Sequence, residues 1–319
     1  MEKALITGAG GFVGGHLARY LLTQPETTVI GTTYESPQSY PTLASGGHYQ
    51  QINITDRQSV LDLLEEHQPD HIYHLAAQTF VPTSFEDPWD TLETNIRGQL
   101  NFLEGMRLLP ESTRILVLGS GEEYGIVSPE DMPLKETQPL RPTSPYSVSK
   151  VAQEMLGLQY HLSYGIQTIR VRAFNHTGPG QSKRFVAPAF ASQIAAIAAR
   201  QQEPVVRVGH LEARRDFTDV RDIVRAYHLL MLHGEPGEVY NVGSGTAHSL
   251  DELLHALLGL SEADIRVEAD AQRMRPVEVP VIVCDPTRLR STTGWEPAIS
   301  FEQSMADVLN DWRERISQS

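Results

Sequence analysis

A glycine-rich loop near the N-terminus constrains the fold of this 319-residue chain more than any other feature. The run Lys3–Thr7 is typical of a β-strand, and Gly8, Gly11 and Gly14 follow it directly and open a helix predicted over Phe12–Leu22. Glycines at this spacing permit a tight turn, close approach of a pyrophosphate and close packing of the helix on the strand. The spacing also occurs in ordinary turns, but its position after the first strand favours a dinucleotide-binding loop.

Short β-branched runs alternate with amphipathic stretches through the first half of the chain. We expect further strands at 28–32, 71–74, 114–118 and 167–172, and helices at 57–66, 89–109 and 145–164. This alternation predicts an α/β fold with a doubly wound parallel Rossmann sheet.

After about residue 174 the alternation loosens, and loops rich in Gly, Pro and Arg separate helices predicted at 186–200, 220–233, 250–258 and 301–315. We therefore predict a dinucleotide-binding domain over residues 1–174, to which some later segments return. Residues 175–319 are predicted to form mainly a smaller α/β substrate-binding domain at the carboxyl edge of the sheet.

The composition excludes several classes of partner. With 26 basic and 40 acidic residues the net charge is −14, which argues against nucleic acid and anionic membrane surfaces. No apolar stretch reaches the roughly 18 residues of a membrane span. The lone cysteine, Cys284, cannot form an intramolecular disulfide and fits a reducing compartment, so a cytoplasmic protein is expected. The histidines and Cys284 show no metal-ligand spacing, and no metal is predicted.

Tyr146 and Lys150 are candidate catalytic residues. A spacing of four places the phenol and the ammonium on one face of the predicted helix, about one turn apart. A nearby cation favours the ionised form of a phenol, which otherwise has a pKa too high for acid–base work at neutral pH. The alternative interpretation is an ordinary pair on a helix surface.

Ser120 follows the strand predicted at 114–118, where a parallel sheet presents side chains to its ligand crevice. Its hydroxyl can hydrogen-bond a carbonyl or alkoxide oxygen. A serine in this position is otherwise a helix cap or a turn residue. Combined with Tyr146, Lys150 and the glycine loop, it indicates hydride transfer at a carbon–oxygen centre.

Together with the segment His74-Leu-Ala-Ala-Gln78, these residues resemble the extended short-chain dehydrogenases/reductases of the nucleotide-sugar branch. Three longer segments, 172–181, 215–222 and 273–279, resemble the GDP-6-deoxy-D-mannose reductases, with the GDP-mannose 4,6-dehydratases as the next relatives. The resemblance covers nearly the whole chain. It implies NAD(P)H-dependent reduction of the C4 keto group of GDP-4-dehydro-6-deoxy-D-mannose to GDP-D-rhamnose.

The resemblance also implies roles for individual residues. Tyr146 would protonate the C4 oxygen with help from Ser120, while Lys150 holds the cofactor ribose and depresses the pKa of the tyrosine. The implied cofactor-binding residues are Gly8, Gly11, Phe12, Val13, Gly14, Thr33, Asn53, Ile54, Leu75, Ala76, Ala77, Gln78, Tyr146, Lys150 and Phe174. The implied substrate-binding residues are Ser120, Asn175, Gln181, Val186, Arg207, Arg215, Arg275 and Glu278.

Other functions remain open from the sequence. Glu122 stands where a 4,6-dehydratase carries its catalytic glutamate, but Gly121 and Ser120 depart from the dehydratase pattern, and the reductases carry this glutamate as well. We favour a reductase, with a dehydratase or another nucleotide-sugar epimerase as alternatives. A dinucleotide-sensing module without catalysis is the non-enzymatic alternative.

Two further predictions concern the preferred cofactor and the oligomeric state. The second strand ends at Thr32-Thr33-Tyr34-Glu35, which carries neither a clean acidic nor a clean basic signature, so use of both NADPH and NADH is predicted. The helices predicted at 89–109 and 145–164 resemble those that form a four-helix dimer interface in this superfamily, which implies a homodimer. The window 170–225 carries 10 basic and 5 acidic residues and is the predicted location of an anionic GDP-sugar.

Overall fold

Parallel strands form the central layer of the chain, whose computed structural model describes residues 1–40, 43–270 and 279–318. The strands are β1 (Glu2–Thr7), β2 (Thr27–Thr33), β3 (His48–Gln51), β4 (His71–His74), β5 (Arg114–Ser120), β6 (Gln167–Ala173), β7 (His176–Thr177), β8 (Val205–Val208), β9 (Arg214–Asp216), β10 (Thr218–Asp219), β11 (Val239–Val242), β12 (Ala247–Ser249), β13 (Arg266–Ala269) and β14 (Val281–Ile282).

Helices connect and cover these strands. They are α1 (Phe12–Leu21), α2 (Arg57–His67), α3 (Val81–Glu86), α4 (Pro88–Leu92), α5 (Gly98–Met106), α6 (Pro145–Tyr164), α7 (Val186–Ala198), α8 (Val220–His233), α9 (Leu250–Leu258), α10 (Thr287–Thr293) and α11 (Phe301–Ser317). Short 3₁₀ turns lie at Pro37–Ser39, Gly121–Tyr124 and Pro129–Asp131, and a π-helical turn at Glu93–Arg97.

The main sheet has seven strands in the order β11-β6-β5-β4-β1-β2-β3, and every neighbouring pair is parallel. Apolar clusters cover both faces: α1 and α8 pack on one, while α2, α5 and α6 pack on the other. The predicted doubly wound Rossmann sheet is therefore confirmed. Because all strands run in one direction, the residues at their carboxyl ends lie along a single edge.

A separate apolar cluster holds the later segments together. Side chains of α7, α9 and α11 pack with those of β8 around Phe190, Leu254 and Leu309, and β13 pairs in parallel with β8. However, β11 lies in the main sheet beside β6, and α8 covers that sheet, so both return to the first layer. The division into two domains at residue 174 stays a prediction.

The structure differs from the predicted secondary structure at several points. The helix predicted over 89–109 begins at Pro88, ends at Met106 and contains the π-helical turn Glu93–Arg97. Strand β3 was not predicted because its sequence, His-Tyr-Gln-Gln, lacks a β-branched run, and its pairing with β2 decides its conformation. Strand β11 was missed because it joins the sheet from far along the chain.

No helix within residues 1–40, 43–270 and 279–318 combines the length and the apolar character that crossing a membrane requires.

Candidate active site

A cavity of about 940 Å³ opens along the carboxyl edge of the main sheet. Its walls come from the loops after β1, β2, β4, β5 and β6, and from the N-terminal end of α7. The lining includes Gly8, Gly11, Phe12, Val13, Gly14, Thr33, Asn53, Ile54, Leu75, Ala76, Ala77, Gln78, Ser120, Glu122, Tyr146, Lys150, Phe174, Asn175, Gln181, Val186 and Arg215. The structure thus brings most of the predicted site residues into one space.

The glycine loop forms one end of this cavity. Gly8 adopts a positive φ of 69°, and the Gly11 amide donates to the Gly8 carbonyl over 2.9 Å as α1 begins. A Cβ on Gly14 would collide with the Gly8 carbonyl oxygen and lie 2.9 Å from the Ala9 Cα. The loop therefore accepts only glycine at these points and leaves the N-terminal amides of α1 open to an anion.

Ser120 ends β5 and caps the 3₁₀ turn that follows. Its Oγ accepts the Glu122 amide at 3.2 Å, and its own amide donates to Glu123 Oε1 at 2.7 Å. The turn changes the direction of successive side chains, since a 3₁₀ helix rotates by a third of a turn per residue. Glu122 consequently lines the cavity, whereas Glu123 is fully buried beneath it.

Tyr146 and Lys150 lie in the first turns of α6, next to Ser120. Ser144 caps this helix, its Oγ accepting the Ser147 amide. The side chains of Tyr146 and Ser120 both line the cavity, and the serine hydroxyl is close enough to lower the pKa of the phenol against the larger effect of burial. The Lys150 Nζ donates to the Leu118 carbonyl on β5 at 2.8 Å, and the side chain is buried. The predicted triad is assembled, with the phenol and the serine hydroxyl facing the cavity.

Burial has the largest effect on the pKa values of both α6 residues. Burial lowers the pKa of Lys150 to about 8, because a buried ammonium loses its hydration. Burial raises the pKa of Tyr146, and the nearby Glu122 carboxylate acts in the same direction. In this structure the Lys150 ammonium donates to a backbone carbonyl, and burial holds the Tyr146 phenol protonated by raising its pKa. A lowering of the tyrosine pKa by Lys150 stays a prediction.

The loop after β4 is fixed by a residue that sequence reasoning missed. Asn95, in the π-helical turn, accepts the Gln78 amide at 2.8 Å and donates to the Gln78 carbonyl at 3.0 Å. Its Nδ2 also donates to Ser149 on α6 at 2.8 Å. Asn95 is fully buried and joins the cofactor side of the cavity to the helix that carries Tyr146. An Asn within an otherwise amphipathic helix was the available signal.

The opposite end of the cavity is more basic and aromatic. Arg215 donates to the Val279 carbonyl at 2.8 Å, and Gln181 donates to the His176 carbonyl at 3.1 Å. Arg184, not identified from the sequence, lines this end and lies 5.5 Å above the Phe80 ring. Guanidinium groups here suit the recognition of a diphosphate.

One predicted substrate residue, Arg207, lies outside this cavity. The Arg207 guanidinium lies on the surface, pairs with Glu203 at 3.0 Å and does not line the cavity. Arg207 is the exposed residue of β8, whose other three residues are buried, so its contact with substrate stays a prediction that this placement does not support. Arg275 and Glu278 lie outside the described residues.

Across the described ranges 1–40, 43–270 and 279–318, no three His, Cys, Asp or Glu side chains are grouped so that they could hold a metal ion. A site without metal stays a prediction.

Comparison with known proteins identifies the family. The family described as GDP-mannose 4,6 dehydratase matches residues 5–308. The chain belongs to this family. It is also 36% identical to GDP-6-deoxy-D-mannose reductase of Pseudomonas aeruginosa, over 99% of both chains. The GDP-mannose 4,6-dehydratase of Vibrio cholerae is 28% identical, over 97% of this chain and 93% of that protein.

A solved structure of a relative also resembles this chain closely. The structure of RMD from Pseudomonas aeruginosa complexed with NADPH has a TM-score of 0.86 and 34% identity, covering 99% of this chain and 100% of that one. The resemblance inferred from the motifs is therefore confirmed.

The buried lysine gives a testable pH dependence. Because the Lys150 pKa falls from 10.5 to about 8 on folding, the unfolded chain binds more protons between these pH values. The free energy of unfolding should therefore rise with pH across this window relative to a Lys150→Met variant, in which this titration is absent. Urea unfolding at several pH values measures the difference. A constant difference between the two proteins would show that Lys150 is not buried as described.

Proposed function

We propose that the chain is an NAD(P)H-dependent reductase that converts the C4 keto group of GDP-4-dehydro-6-deoxy-D-mannose into the hydroxyl of GDP-D-rhamnose. The observation that carries this proposal is the pairing of Tyr146 with Ser120 in the same cavity as the glycine loop. The relative from Pseudomonas aeruginosa that bears the name GDP-6-deoxy-D-mannose reductase supports the choice of substrate.

The residues of the cavity fit a nicotinamide dinucleotide. The turn at Gly8 is tight because a Cβ on Gly8 or Gly14 would press on the backbone of Ala76 or of Gly8, and α1 begins directly after this turn with its N-terminal amides toward the cavity. The loop 75–78 and the residues Asn53 and Ile54 line the neighbouring walls. When bound, the reduced dinucleotide supplies the hydride. We assign Lys150 to the cofactor ribose, as the family resemblance implies.

The protein's own part of the reaction is proton transfer. As C4 gains hydride, its oxygen takes the proton of the Tyr146 hydroxyl, and the Ser120 hydroxyl hydrogen-bonds the same oxygen. Burial keeps the Tyr146 phenol protonated, which is the form a proton donor needs. The phenolate that remains is reprotonated from solvent, so the carbonyl gains one hydride and one proton overall.

We propose that the enzyme uses both NADPH and NADH as the hydride donor. Tyr34 follows β2 and is 73% exposed, so it places neither a cation for a 2′-phosphate nor a carboxylate for a 2′-hydroxyl beside the cavity. The lone Cys284 is a buried thiol, and we propose that the enzyme works in the reducing cytoplasm.

A 4,6-dehydratase is the second candidate, favoured by Glu122. This carboxylate lines the cavity close enough to Tyr146 to raise its pKa. A dehydratase needs such a base to remove a proton during elimination of water. It would turn over GDP-mannose without added reductant, whereas the reductase requires NAD(P)H and the keto sugar.

We further propose a homodimer built on α6 and the helices beside it. Val148, Met155 and Leu162 are exposed on α6 at intervals of seven residues, which places them along one stripe. Phe85 and Trp89 are exposed on α3 and α4, which pack against α6. An apolar stripe of this kind is typical of a helix-pair interface.

Turnover tests the proposed reaction. The purified protein should oxidise NADPH or NADH only when GDP-4-dehydro-6-deoxy-D-mannose is present. Tyr146→Phe should lower kcat by at least about 100-fold because the proton donor is lost, with cofactor affinity unchanged. Tyr164→Phe, on the same helix but away from the cavity, is the control. Absence of cofactor oxidation by the wild-type protein would contradict the reductase activity. Undiminished turnover by Tyr146→Phe would show that Tyr146 is not the proton donor.

The mass in solution tests the dimer. Light scattering should give twice the 35.5 kDa of one chain for the wild type and a single-chain mass for a Met155→Glu/Leu162→Glu variant. Charges facing each other across an apolar stripe carry an uncompensated desolvation cost. Leu232→Glu, at an exposed position on α8, should leave the dimer intact. A single-chain mass for the wild type would contradict the proposal.

A further inference from the structure

A buried cluster of charged side chains lies directly beneath the 3₁₀ turn Gly121–Tyr124. Glu154 on α6 receives a fork of two hydrogen bonds from Arg172 on β6, each 2.7 Å long, and a third from Arg170 at 3.1 Å. These three side chains are almost completely buried, and Glu123 joins them from the 3₁₀ turn. The proposed reaction uses none of these four residues.

Glu123 makes one contact that reaches the active site. Its Oε1 accepts the Ser120 amide at 2.7 Å, in a side chain with 0% exposure. Gly119, the preceding residue on β5, leaves room for this carboxyl, because a Cβ there would overlap Glu123 Oε1. The backbone position of Ser120, and with it the direction of the hydroxyl toward Tyr146, is thus tied to Glu123.

The surroundings of the second oxygen of Glu123 indicate its protonation state. Oε2 accepts no hydrogen bond and lies 3.8 Å from the Arg172 Nε, the same nitrogen that donates to Glu154 Oε2 at 2.7 Å, so the two carboxyl groups are neighbours. Two acceptor oxygens that face each other in a buried site need a proton between them. The guanidinium groups already bind Glu154, so that residue is the charged member, and Glu123 carries the proton.

We propose that Glu123, as a neutral carboxylic acid, is a positioning residue that fixes Ser120 for the reaction by accepting its amide hydrogen and donating its own proton to Glu154. Burial and the neighbouring Glu154 raise the pKa of Glu123 well above its ordinary value, in agreement with this geometry. The inference rests on the proposed reductase reaction, in which Ser120 contacts the reacting oxygen.

Two substitutions separate the roles of shape and charge. Glu123→Gln keeps an acceptor for the Ser120 amide and a donor for Glu154 without an ionisable proton. Its kcat should stay within about twofold of the wild-type value, with the same pH profile. Glu123→Met, of similar length, removes both hydrogen bonds and should lower kcat about tenfold or more, because a small misplacement of a catalytic group is costly.

A double-mutant cycle shows whether Glu123 acts through Ser120. In a Ser120→Ala background, Glu123→Met should change kcat by less than about twofold, since the group it positions is gone. Tyr124→Phe is the matched control: it alters the same buried cluster, where its hydroxyl accepts from Arg172 at 3.0 Å, without touching Ser120. Equal losses from Glu123→Met in both backgrounds, or a Gln variant as poor as the Met variant, would overturn the proposal.

An infrared measurement tests the protonation without turnover. The difference spectrum between wild type and Glu123→Gln at pH 7 should contain the carbonyl stretch of a protonated carboxylic acid. A difference confined to carboxylate bands would overturn the proposal, even if Glu123→Met fails to fold. If the reductase proposal is wrong, the wild-type protein will not oxidise NADPH or NADH in the presence of the keto sugar, but the infrared difference spectrum will be unchanged. The two failures can therefore be distinguished.

Discussion

The attachment of α6 to the sheet is the constraint on which the site depends. Residues 146, 150 and 154 follow each other at intervals of four along one face of this helix, so a single register places all three. The Lys150 ammonium donates to β5, and the Glu154 carboxylate binds two arginines on β6. Breaking one partner of such a buried pair is strongly destabilising, so the helix cannot slide without a large loss. Tyr146 is therefore held opposite the residue that ends β5.

This arrangement bears on the direction of proton transfer. A phenol whose pKa is raised by burial keeps its proton, and the Lys150 ammonium, still protonated at neutral pH with a pKa of about 8, donates to the Leu118 carbonyl. Such a pair suits the donation of a proton to an oxygen that becomes an alkoxide during reduction. Glu122, the residue that a dehydratase would use, lines the same cavity.

Much of the site could be predicted from the sequence because its determinants are local. The glycine loop, the Tyr146–Lys150 spacing and Ser120 at a strand end are each visible in a short stretch of sequence, and the parallel sheet brings them to one edge.

Other features of the site depend on tertiary packing and could not be predicted from the sequence. The sequence shows two adjacent glutamates, and only the 3₁₀ turn decides that Glu122 faces the cavity and Glu123 the core. Likewise, only the structure shows that Arg207, a predicted substrate ligand, is the exposed residue of β8.

The most direct test of the account is the destination of the transferred hydride. The protein is incubated with GDP-4-dehydro-6-deoxy-D-mannose and NADPH carrying deuterium at the transferable position, and the product is examined by mass spectrometry and NMR. We expect one deuterium at C4 of a GDP-6-deoxyhexose for each cofactor oxidised. A product without deuterium at C4, or turnover with no net loss of NADPH, would contradict reduction of the C4 keto group by this protein.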